Sequence, residues 1–509
     1  MGNSARNTAW VTASIMMATI MQALDTTIAN VALPHMLGSL NATQEQASWI
    51  LTSYIVAAAI MTAPTGFLAA RIGRKRLFLI SVAGFTLASI LCGVAQNLSE
   101  MVFFRLMQGV FGAGLVPLSQ AVLLDTYPKE KHGQAMALWG MGVMLGPILG
   151  PTLGGWLTEY YNWRWVFYIN VPVGIATLLG IWFFMPETEK NPGRRFDVFG
   201  FVMLSLAIGG LQLMLDRGQG EDWFSSTEIT VEFVIAALAL YLFIVHINTT
   251  EKPFLEPAMF RDRNFASSLF FIFVVGIIML ASMALLPPYL QNLMGYPVIT
   301  TGLVLAPRGF GTMLAMVVAG RLTQKVDARV LMLVGLLLTA YSLWQMSLFT
   351  TNVPMSLLVT TGMVQGFGMG LVFVPLSTVA YATLAPHYRN DAAAVFSLMR
   401  NIGSSVGISV VVTLLARNIQ INHAELGGHL HNYKDLGAGL DAATEALSPS
   451  EGTALLQTLD GMVNQQAATI AYLNDFRLMA WVVLLSIPLL FILKNSRINN
   501  PVKIPSADH

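Results

Sequence analysis

Long apolar runs recur along this chain of 509 residues and constrain its fold more than any other feature. Each run approaches the roughly 20 helical residues that cross a bilayer core about 30 Å thick. Because lipid offers no partners to backbone N–H and C=O groups, these runs must be helices rather than loops or open sheet. Charged residues make up 11% of the chain, against about 25% in soluble proteins. The sequence therefore predicts an all-α polytopic membrane protein.

Breaks at polar, charged and Pro/Gly clusters divide the chain into fourteen predicted spans. Their limits are 9–33, 48–70, 77–95, 101–124, 134–157, 165–185, 199–215, 229–247, 265–291, 300–320, 330–349, 354–384, 392–416 and 473–493. The first run, from Trp10 to Leu33, is too long for the apolar core of a signal peptide. We therefore expect it to be a retained helix.

The basic residues between the spans predict an orientation. Twenty Lys and Arg residues fall on one side of the predicted membrane and five on the other. Under the positive-inside rule the first side is cytoplasmic, so both termini are predicted to be cytoplasmic. An odd number of spans would have scrambled this asymmetry, so the bias also supports an even number.

Composition excludes several functions. A net charge of +1 gives no support for nucleic-acid binding, and the single cysteine, Cys92, excludes an intrachain disulfide and a thiolate metal cluster. Nothing resembles a phosphate loop or a Ser/His/Asp constellation, so we expect no enzyme, although an integral-membrane enzyme is kept as a weak alternative. We expect no cofactor and no metal. One loosely spaced set could bind a metal, but a solvated loop is the preferred interpretation: His423, His429, His431 and Asp435.

The chain contains a weak internal duplication. The segment from Gly66 to Leu77 is matched by Gly320 to Leu331 at an offset of 254, and Gln108-Gly109 and the residues after it are matched at offsets of 256 to 258. Two matches in the same order predict parallel halves, with the substrate site between them. The predicted domains are 1–190, an inserted helix pair in 191–263, and 264–509, which includes an outer segment 417–472.

Four of the charged residues inside the predicted spans are candidates for a functional role, because a charge at mid-bilayer costs about 2.5–3.5 kcal/mol. They are Asp25, Arg105, Arg308 and Arg400. Burial favours the protonated form of a carboxyl group, and a nearby arginine favours the ionised form. We therefore predict Asp25 as the proton-coupling or substrate-competition residue, with Arg105 modulating it.

Alternatives remain open for each charge. Asp25 could instead belong to a structural hydrogen-bond cluster with three neighbours on its own helix: Thr26, Thr27 and Asn30. Arg105 could hold backbone carbonyls. Arg308 and Arg400 favour polar or anionic groups in a cavity, but packing roles explain them equally well. The residues predicted to line a cavity are Asn30, Gln108, Arg308 and Arg400.

The fifth span is rich in glycine and proline: Gly142, Gly146, Pro147, Gly150, Pro151 and Gly154. Glycines four residues apart share one helical face and allow close approach of a partner helix. Proline removes a backbone donor and bends the helix. Such a helix could limit leakage during a conformational cycle, and ordinary tight packing is the alternative.

Five motifs together resemble one family. They are Met21–Pro34, Gly66–Leu77, Arg105–Gly109, Gly142–Gly155 and Asn162–Gly174. In these segments the chain is similar to the major facilitator superfamily, and within it to the fourteen-span EmrB/QacA drug:proton antiporter branch. The long polar segment before the last span resembles the EmrB side of that branch.

This resemblance implies two six-helix halves with two inserted central helices. It implies a proton-coupled antiporter in the bacterial inner membrane that exports small amphipathic or hydrophobic drugs by alternating access. An exporter or importer of a specific metabolite on the same fold is the alternative. The implied partners are membrane lipid, small-molecule substrates, a periplasmic membrane-fusion adaptor and an outer-membrane channel.

The resemblance also implies a gating loop at Gly66, Arg71, Gly73 and Arg74. The family motif usually has an acidic residue where this chain has Ala70, which puts a charge latch at this loop in doubt. The arginines could instead contact helix C-termini or anionic lipid, or serve only as positive-inside anchors.

The outer segment contains one predicted helix. Ser448-Pro449-Ser450-Glu451 is a capping box with proline at the first helical position. Apolar residues then recur at helical spacing, which predicts an amphipathic helix over 449–471. Its apolar side needs cover from the protein itself, the membrane surface or a partner.

Overall fold

The computed structural model describes residues 2–40, 42–188, 190, 196–251, 253–432 and 449–493. The regular secondary structure in these ranges is helical throughout. Thirteen helices there are long and apolar enough to cross a membrane, and one bent helix pair supplies a fourteenth span. The predicted all-α polytopic fold is confirmed.

The first half comprises nine helices that form six spans. They are α1 Gly2–Leu40, α2 Gln44–Thr62, α3 Thr65–Ile72, α4 Arg74–Val94, α5 Leu98–Gly112, α6 Leu115–Thr126, α7 His132–Tyr160, α8 Trp165–Tyr168 and α9 Asn170–Phe184. Helices α2 and α3 make one span with a bend of 55° between them, whereas α5 with α6 and α8 with α9 each make one continuous span.

The inserted pair and the second half follow. They are α10 Val198–Arg217, α11 Thr227–Thr249, α12 Arg263–Pro288, α13 Val298–Leu322, α14 Ala328–Met346, α15 Met355–Ala382, α16 Arg389–Asn432 and α17 Pro449–Ser486. A π-helical turn, Tyr289–Leu293, extends α12 after its two consecutive prolines.

Polar residues next to the apolar runs set where several helices begin. Thr43 and Gln46 form a capping box at the start of α2, each side chain bonding the backbone N–H of the other. The carboxylates of Asp197, Asp262 and Asp327 accept backbone N–H groups at the starts of α10, α12 and α14. Because the first N–H groups of a helix have no partner within it, these caps satisfy them at the membrane surface.

The same pattern of helix contacts occurs in both halves. In the first half α1 packs on α7, α5 packs on both α2 and α4, and α9 packs on α4. In the second half α12 packs on α16, α15 packs on both α13 and α14, and α17 packs on α14. Matching these spans by their order in each half makes the two lists equivalent. The fold therefore repeats in the way that the weak sequence duplication predicted.

The inserted pair lies at the periphery of both halves. Helix α10 packs against α2 and α16, and Ser405 Oγ of α16 donates to Gln212 Oε1 of α10 over 2.8 Å. Asp216 of α10 accepts a hydrogen bond from Thr52 of α2. Helix α11 packs mainly on α10, and only 22% of its most apolar stretch is buried. The remainder of that stretch faces lipid.

The outer segment differs from its prediction. We expected a polar loop after residue 416, but α16 continues without interruption to Asn432. The predicted helix over 449–471 is present, but it runs directly into the last span as one helix, α17. The two helices pack on each other, with Asn422 Nδ2 donating to the Ala467 carbonyl over 3.2 Å. Helix α16 therefore covers part of the apolar side of α17, and the predicted capping box at Ser448 lies outside the described residues.

The glycine-rich fifth span is α7, and its glycine face packs on α1. A Cβ atom on Gly146 would overlap the backbone of Ala23, and one on Gly150 would overlap the Thr27 side chain. Thr27 Oγ1 also donates to the Gly146 carbonyl over 3.0 Å. The close approach predicted for these glycines is present, while the side chains of Pro147 and Pro151 lie outside the described residues.

This contact predicts different costs for two glycines of one helix. Gly146→Ala should destabilise the protein by about 1–3 kcal/mol, because the added methyl group meets backbone that cannot rotate away. Gly155→Ala is the matched control, since a Cβ there meets nothing within 4 Å. Thermal unfolding of both variants in detergent checks this. A Gly146→Ala protein as stable as Gly155→Ala would contradict the packing.

Candidate functional site

Asp25 lies in the interior of the first half and forms an ion pair with Arg105. Its carboxylate Oδ2 is 2.9 Å from Arg105 Nη1. The side chains are 0% and 1% exposed, respectively. Helix α1 supplies Asp25 and α5 supplies Arg105, so the pair joins two spans. The sequence predicted that these two residues act together, and the structure places them in direct contact.

Two amides complete the shell around the carboxylate. Gln108 Nε2 and Asn170 Nδ2 each donate to Asp25 Oδ1 over 2.8 Å. Both amides also donate to Ser89 Oγ, at 2.8 and 3.3 Å. These five residues, Asp25, Ser89, Arg105, Gln108 and Asn170, are called the Asp25 cluster below. Every direct partner of the carboxylate is a donor, which suits an ionised Asp25.

Arg105 makes further contacts that hold it in place. Its Nη1 donates to Gln108 Oε1 over 2.6 Å, and its Nε donates to the Ile50 carbonyl over 3.3 Å. Its Cζ lies 4.3 Å from the centre of the Tyr54 ring, a cation–π distance. The sequence predicted that Arg105 either interacts with Asp25 or holds backbone carbonyls. The structure contains both contacts.

The alternative cluster within α1 is wrong. The Thr26 and Thr27 hydroxyls donate to backbone carbonyls, and Asn30 is exposed. None of these side chains forms a hydrogen bond with Asp25 among the described residues, because the carboxylate bonds to side chains of α5 and α9 instead. Gln108 was predicted to line a cavity, but it is fully buried in the Asp25 cluster.

Sequence reasoning missed Ser89 and Asn170. Asn170 belongs to the Asn162–Gly174 motif, and a polar amide within that motif is the sequence feature that could have identified it. Ser89 carries no signal, since a serine in an apolar helix usually bonds its own backbone, as Ser89 also does with Phe85. Only the packing of α4 beside α5 and α9 brings it to the cluster.

The two other predicted arginines lie in the second half. Arg308 of α13 and Arg400 of α16 are both partly exposed, in contrast to Arg105. Arg308 Nη2 donates to the Met279 carbonyl over 3.4 Å. Arg400 Cζ lies 6.0 Å from the centre of the Trp139 ring of α7, across the boundary between the halves. Neither arginine forms an ion pair with any described residue.

A further embedded acid was missed. Asp475 lies within the predicted limits of the last span but was not counted among the embedded charges. It is 1% exposed, and its Oδ2 has no hydrogen-bond partner within the described part of the chain. Arg477, two residues further on, was assigned to the outer side of the membrane, so Asp475 was not considered as an embedded charge. The Arg477 side chain lies over the Trp344 ring.

A second polar cluster joins the halves on the side of the membrane that carries most of the Lys and Arg, here called the basic side. Asp125, at the end of α6, binds Arg74 of its own half through Oδ2. Its Oδ1 is 2.6 Å from Nη1 of Arg389, at the start of α16. Arg74 Nε also donates to Asn390 Oδ1 over 2.7 Å. The halves are thus held together on this side.

Because residue 70 is alanine, it was in doubt whether an arginine of this loop forms an ion pair. Arg74 does form one, with Asp125 of α6. Gly66 is required there, because a Cβ on it would overlap Asp391. Gly73 makes the turn between α3 and α4 at a φ of 91°, which favours glycine. Arg71 lies exposed beside Phe67 and forms no ion pair with the described residues.

Of the residues considered as metal ligands, the structure describes the side chain of His423. His423 Nε2 is 3.0 Å from Asp460 Oδ1, on the packed outer parts of α16 and α17. No group of three potential ligands occurs among the described residues. The side chains of His429 and His431, and all of Asp435, lie outside the described part. The solvated loop expected here is wrong up to Asn432, because α16 continues through it.

Two repeated six-helix halves, a buried charged cluster and a polar contact between the halves define a two-halved membrane transporter. The chain belongs to the Major Facilitator Superfamily, whose family model matches residues 15–408. It is therefore a multi-pass membrane transporter and not an enzyme.

Its relatives agree with this assignment. The chain is 35% identical over 479 residues to the probable multidrug resistance protein EmrY of Escherichia coli (strain K12), covering 93% of each protein. It is 34% identical over 458 residues to the multidrug export protein EmrB of the same organism, covering 90% of this chain and 88% of that one.

A solved structure shares the fold. The crystal structure of the human organic anion transporter MFSD10 (TETRAN) superposes with a TM-score of 0.62 at 14% identity, covering 95% of this chain and 99% of that one.

The contact on the basic side can be tested with Asp125→Asn, which removes the charge and keeps the shape. Only the pair with Arg389 joins the two halves, and an exposed ion pair contributes up to about 1 kcal/mol, so the ratio of closed to open protein should fall by up to about fivefold. Gln324 Nε2 donates to the Glu130 carbonyl over 2.8 Å across the two halves. Replacing both residues with cysteine allows closure to be measured as disulfide cross-linking.

Glu187→Gln is the control, because its 3.7 Å pair with Lys190 lies within one half. The native Cys92 is buried and should not interfere. Equal cross-linking in the Asp125→Asn and Glu187→Gln backgrounds would show that Asp125 does not hold the halves together.

Proposed function

We propose that this chain is a proton-coupled antiporter that exports small amphipathic or hydrophobic drugs from the cytoplasm by alternating access. It works in the bacterial inner membrane with both termini in the cytoplasm. The observation that carries this proposal is the Asp25 cluster, in which a carboxylate 0% exposed is paired with an arginine 1% exposed.

The chemistry of the cluster supports proton coupling. A proton on Asp25 would remove the negative charge and turn one carboxylate oxygen from an acceptor into a donor. Arg105 would then be a buried cation without a counter-ion, and breaking a buried pair costs about 3–5 kcal/mol. Protonation therefore favours a rearrangement that gives Arg105 new surroundings. A proton can thus bias two conformations of the protein.

The location of the cluster supports coupling to movement. Asp25 lies on α1, Arg105 on α5 and Asn170 on α9, so a change in charge acts on three spans together. Helix α1 also packs tightly on α7 through the glycine face described above. On the basic side, Asp125 links Arg74 to Arg389 of the other half. A shift within the first half can therefore release or restore the closed contact.

The direction and the substrates are supported by the relatives and by charge. Proteins named for multidrug export and multidrug resistance are similar to this chain over about nine-tenths of its length. The 20-to-5 bias of basic residues supports a cytoplasmic basic side. A membrane potential supplies about 2.3 kcal/mol per charge per 100 mV, so an inward proton can drive uphill export.

The outer parts of α16 and α17 support an accessory partner. They extend beyond the spans on the side opposite the basic side and pack on each other. Apolar side chains remain exposed on both, with Ile421 and Leu456 each 54% exposed and Met462 60% exposed. We propose that this paired projection contacts a periplasmic membrane-fusion adaptor, which would connect the transporter to an outer-membrane channel.

The proton-coupling role is tested with Asp25→Asn, which keeps the size of the side chain but cannot ionise. The protein should fold and insert, while substrate transport driven by a pH gradient should fall to background. Inverted membrane vesicles with an acidic interior provide the assay. In wild-type vesicles, accumulation of substrate means export, whereas an importer would show gradient-driven loss.

Asp222→Asn is the matched control, because Asp222 is exposed in a turn at a φ of 51°, a conformation that asparagine also adopts. It should transport like the wild type. Gradient-driven transport that persists in Asp25→Asn at the wild-type rate would refute the coupling role of Asp25.

A further inference from the structure

The last span contains a buried acid that the proposed mechanism does not use. Asp475 lies on α17, close to the outer limit predicted for this span at residue 473, where the outer side is the side opposite the basic side. It is 1% exposed, its Oδ2 atom has no hydrogen-bond partner within the described residues, and it forms no ion pair with any of them. Asp25, in contrast, is held by one arginine and two amides. Asp25 and Asp475 therefore have opposite surroundings.

Aromatic rings flank Asp475. The ring centre of Tyr289 lies 5.5 Å from that of Tyr472 and 6.4 Å from that of Phe476. Tyr472 and Phe476 are the residues three before and one after Asp475, and both are buried. Tyr289 Oη donates to the Thr350 carbonyl over 3.1 Å, so its hydroxyl group is occupied elsewhere. This part of α17 is thus packed against rings that offer the carboxylate no positive charge.

The charged groups of the neighbouring helices have other partners or face outwards. Helix α17 packs on α12, α14 and α16. Arg477 of α17 itself is exposed and lies over the Trp344 ring of α14. His423 of α16 pairs with Asp460. The other titratable groups on the outer parts of α14 and α16 are exposed: Tyr341, Arg417 and Glu425. An ionised Asp475 would therefore lack a counter-ion in the described part of the chain.

A carboxylate that is buried without a counter-ion or hydrogen-bond donors is strongly unfavourable, and such a group binds a proton instead. We propose that Asp475 is a second proton-binding residue of this transporter, which holds a proton in the conformation closed on the basic side and exchanges it with the outer side. On loading, a proton from the outer solution bonds to a carboxylate oxygen and the residue becomes neutral; on release, that O–H bond breaks and the negative charge returns. The inference rests on the proposed function and adds a proton site in the second half.

The neighbouring end of α12 supplies polar backbone on the outer side. Helix α12 ends in two consecutive prolines, Pro287 and Pro288, and a π-helical turn, Tyr289–Leu293, follows. Because proline has no N–H, two carbonyls one turn earlier cannot receive their usual helical hydrogen bonds. Gln465 Nε2 of α17 donates to the Leu293 carbonyl over 3.3 Å, so the turn packs on α17. Irregular backbone of this kind at membrane depth is typical of functional sites.

Helix α16 connects the surroundings of Asp475 to the contact between the halves. It begins at Arg389, whose Nη1 is 2.6 Å from Asp125 Oδ1, and continues without interruption to the outer side. There Asn422 donates to the carbonyl of Ala467, which precedes Asp475 by about 12 Å along α17. Opening of the basic side therefore moves a helix that packs on α17. The exchange at Asp475 follows this conformational change and not the binding of solute.

Infrared spectroscopy of the purified full-length protein in nanodiscs tests the proton on Asp475. At neutral pH, subtracting the spectrum of Asp475→Asn from that of the wild type should reveal the C=O stretching band of a protonated carboxyl group, which shifts in D2O. The same subtraction with Asp222→Asn should reveal no such band, because Asp222 is exposed in a turn whose φ of 51° asparagine also adopts. If Asp475→Asn does not fold, Asp475→Glu should shift the band and so assign it.

The link to conformation is tested by comparing two backgrounds. In the first, Glu130→Cys and Gln324→Cys are cross-linked, which holds the basic side closed. In the second, Asp125→Asn favours opening. The Asp475 band should be at full strength in the cross-linked protein and weaker in Asp125→Asn. Absence of the band in the wild type, or equal bands in the two backgrounds, would overturn the proposal, since the acid would then be ionised throughout or protonated throughout.

These measurements separate the inference from the proposed function, because they require neither a solute nor a proton gradient. A conformation-dependent band from Asp475 would stand even if Asp25→Asn transported normally. In contrast, loss of gradient-driven transport in Asp25→Asn together with no band from Asp475 would retain the coupling role of Asp25 and reject the second proton site.

Discussion

The ion pair between Asp25 and Arg105 is the interaction on which the first half depends. Either charge alone inside a membrane protein is unfavourable, whereas a pair 2.9 Å apart with two further amide donors is satisfied. Because the partners come from α1, α5 and α9, satisfying one carboxylate fixes the relative positions of three spans. A proton arriving at Asp25 would therefore act on the arrangement of the whole half.

The two halves share their helix packing but differ in charge. The first half contains the buried ion pair of Asp25 with Arg105. In the second half, Arg308 and Arg400 have no acidic partner among the described residues. Trp139 and Phe373 stack on each other across the boundary between the halves.

Apolar run length predicted the spans, because the bilayer imposes a length and a polarity on each helix. The partnership of Asp25 with Arg105 was predictable because embedded charges are rare. Ser89 was not, since an isolated serine in an apolar helix has no distinguishing pattern. Asp125 was missed because it lies at a helix end, where acids are common, and only folding brings it to Arg389. The continuation of α16 was missed because polar composition was taken to indicate a loop.

The central claim is that Asp25 exchanges a proton as the transporter binds its substrate. Proton release from the purified protein in a weakly buffered solution, measured when substrate is added, tests it most directly. The wild type should release protons in proportion to the substrate bound, and Asp25→Asn should bind substrate with no release. Equal proton release from the wild type and Asp25→Asn would contradict the account.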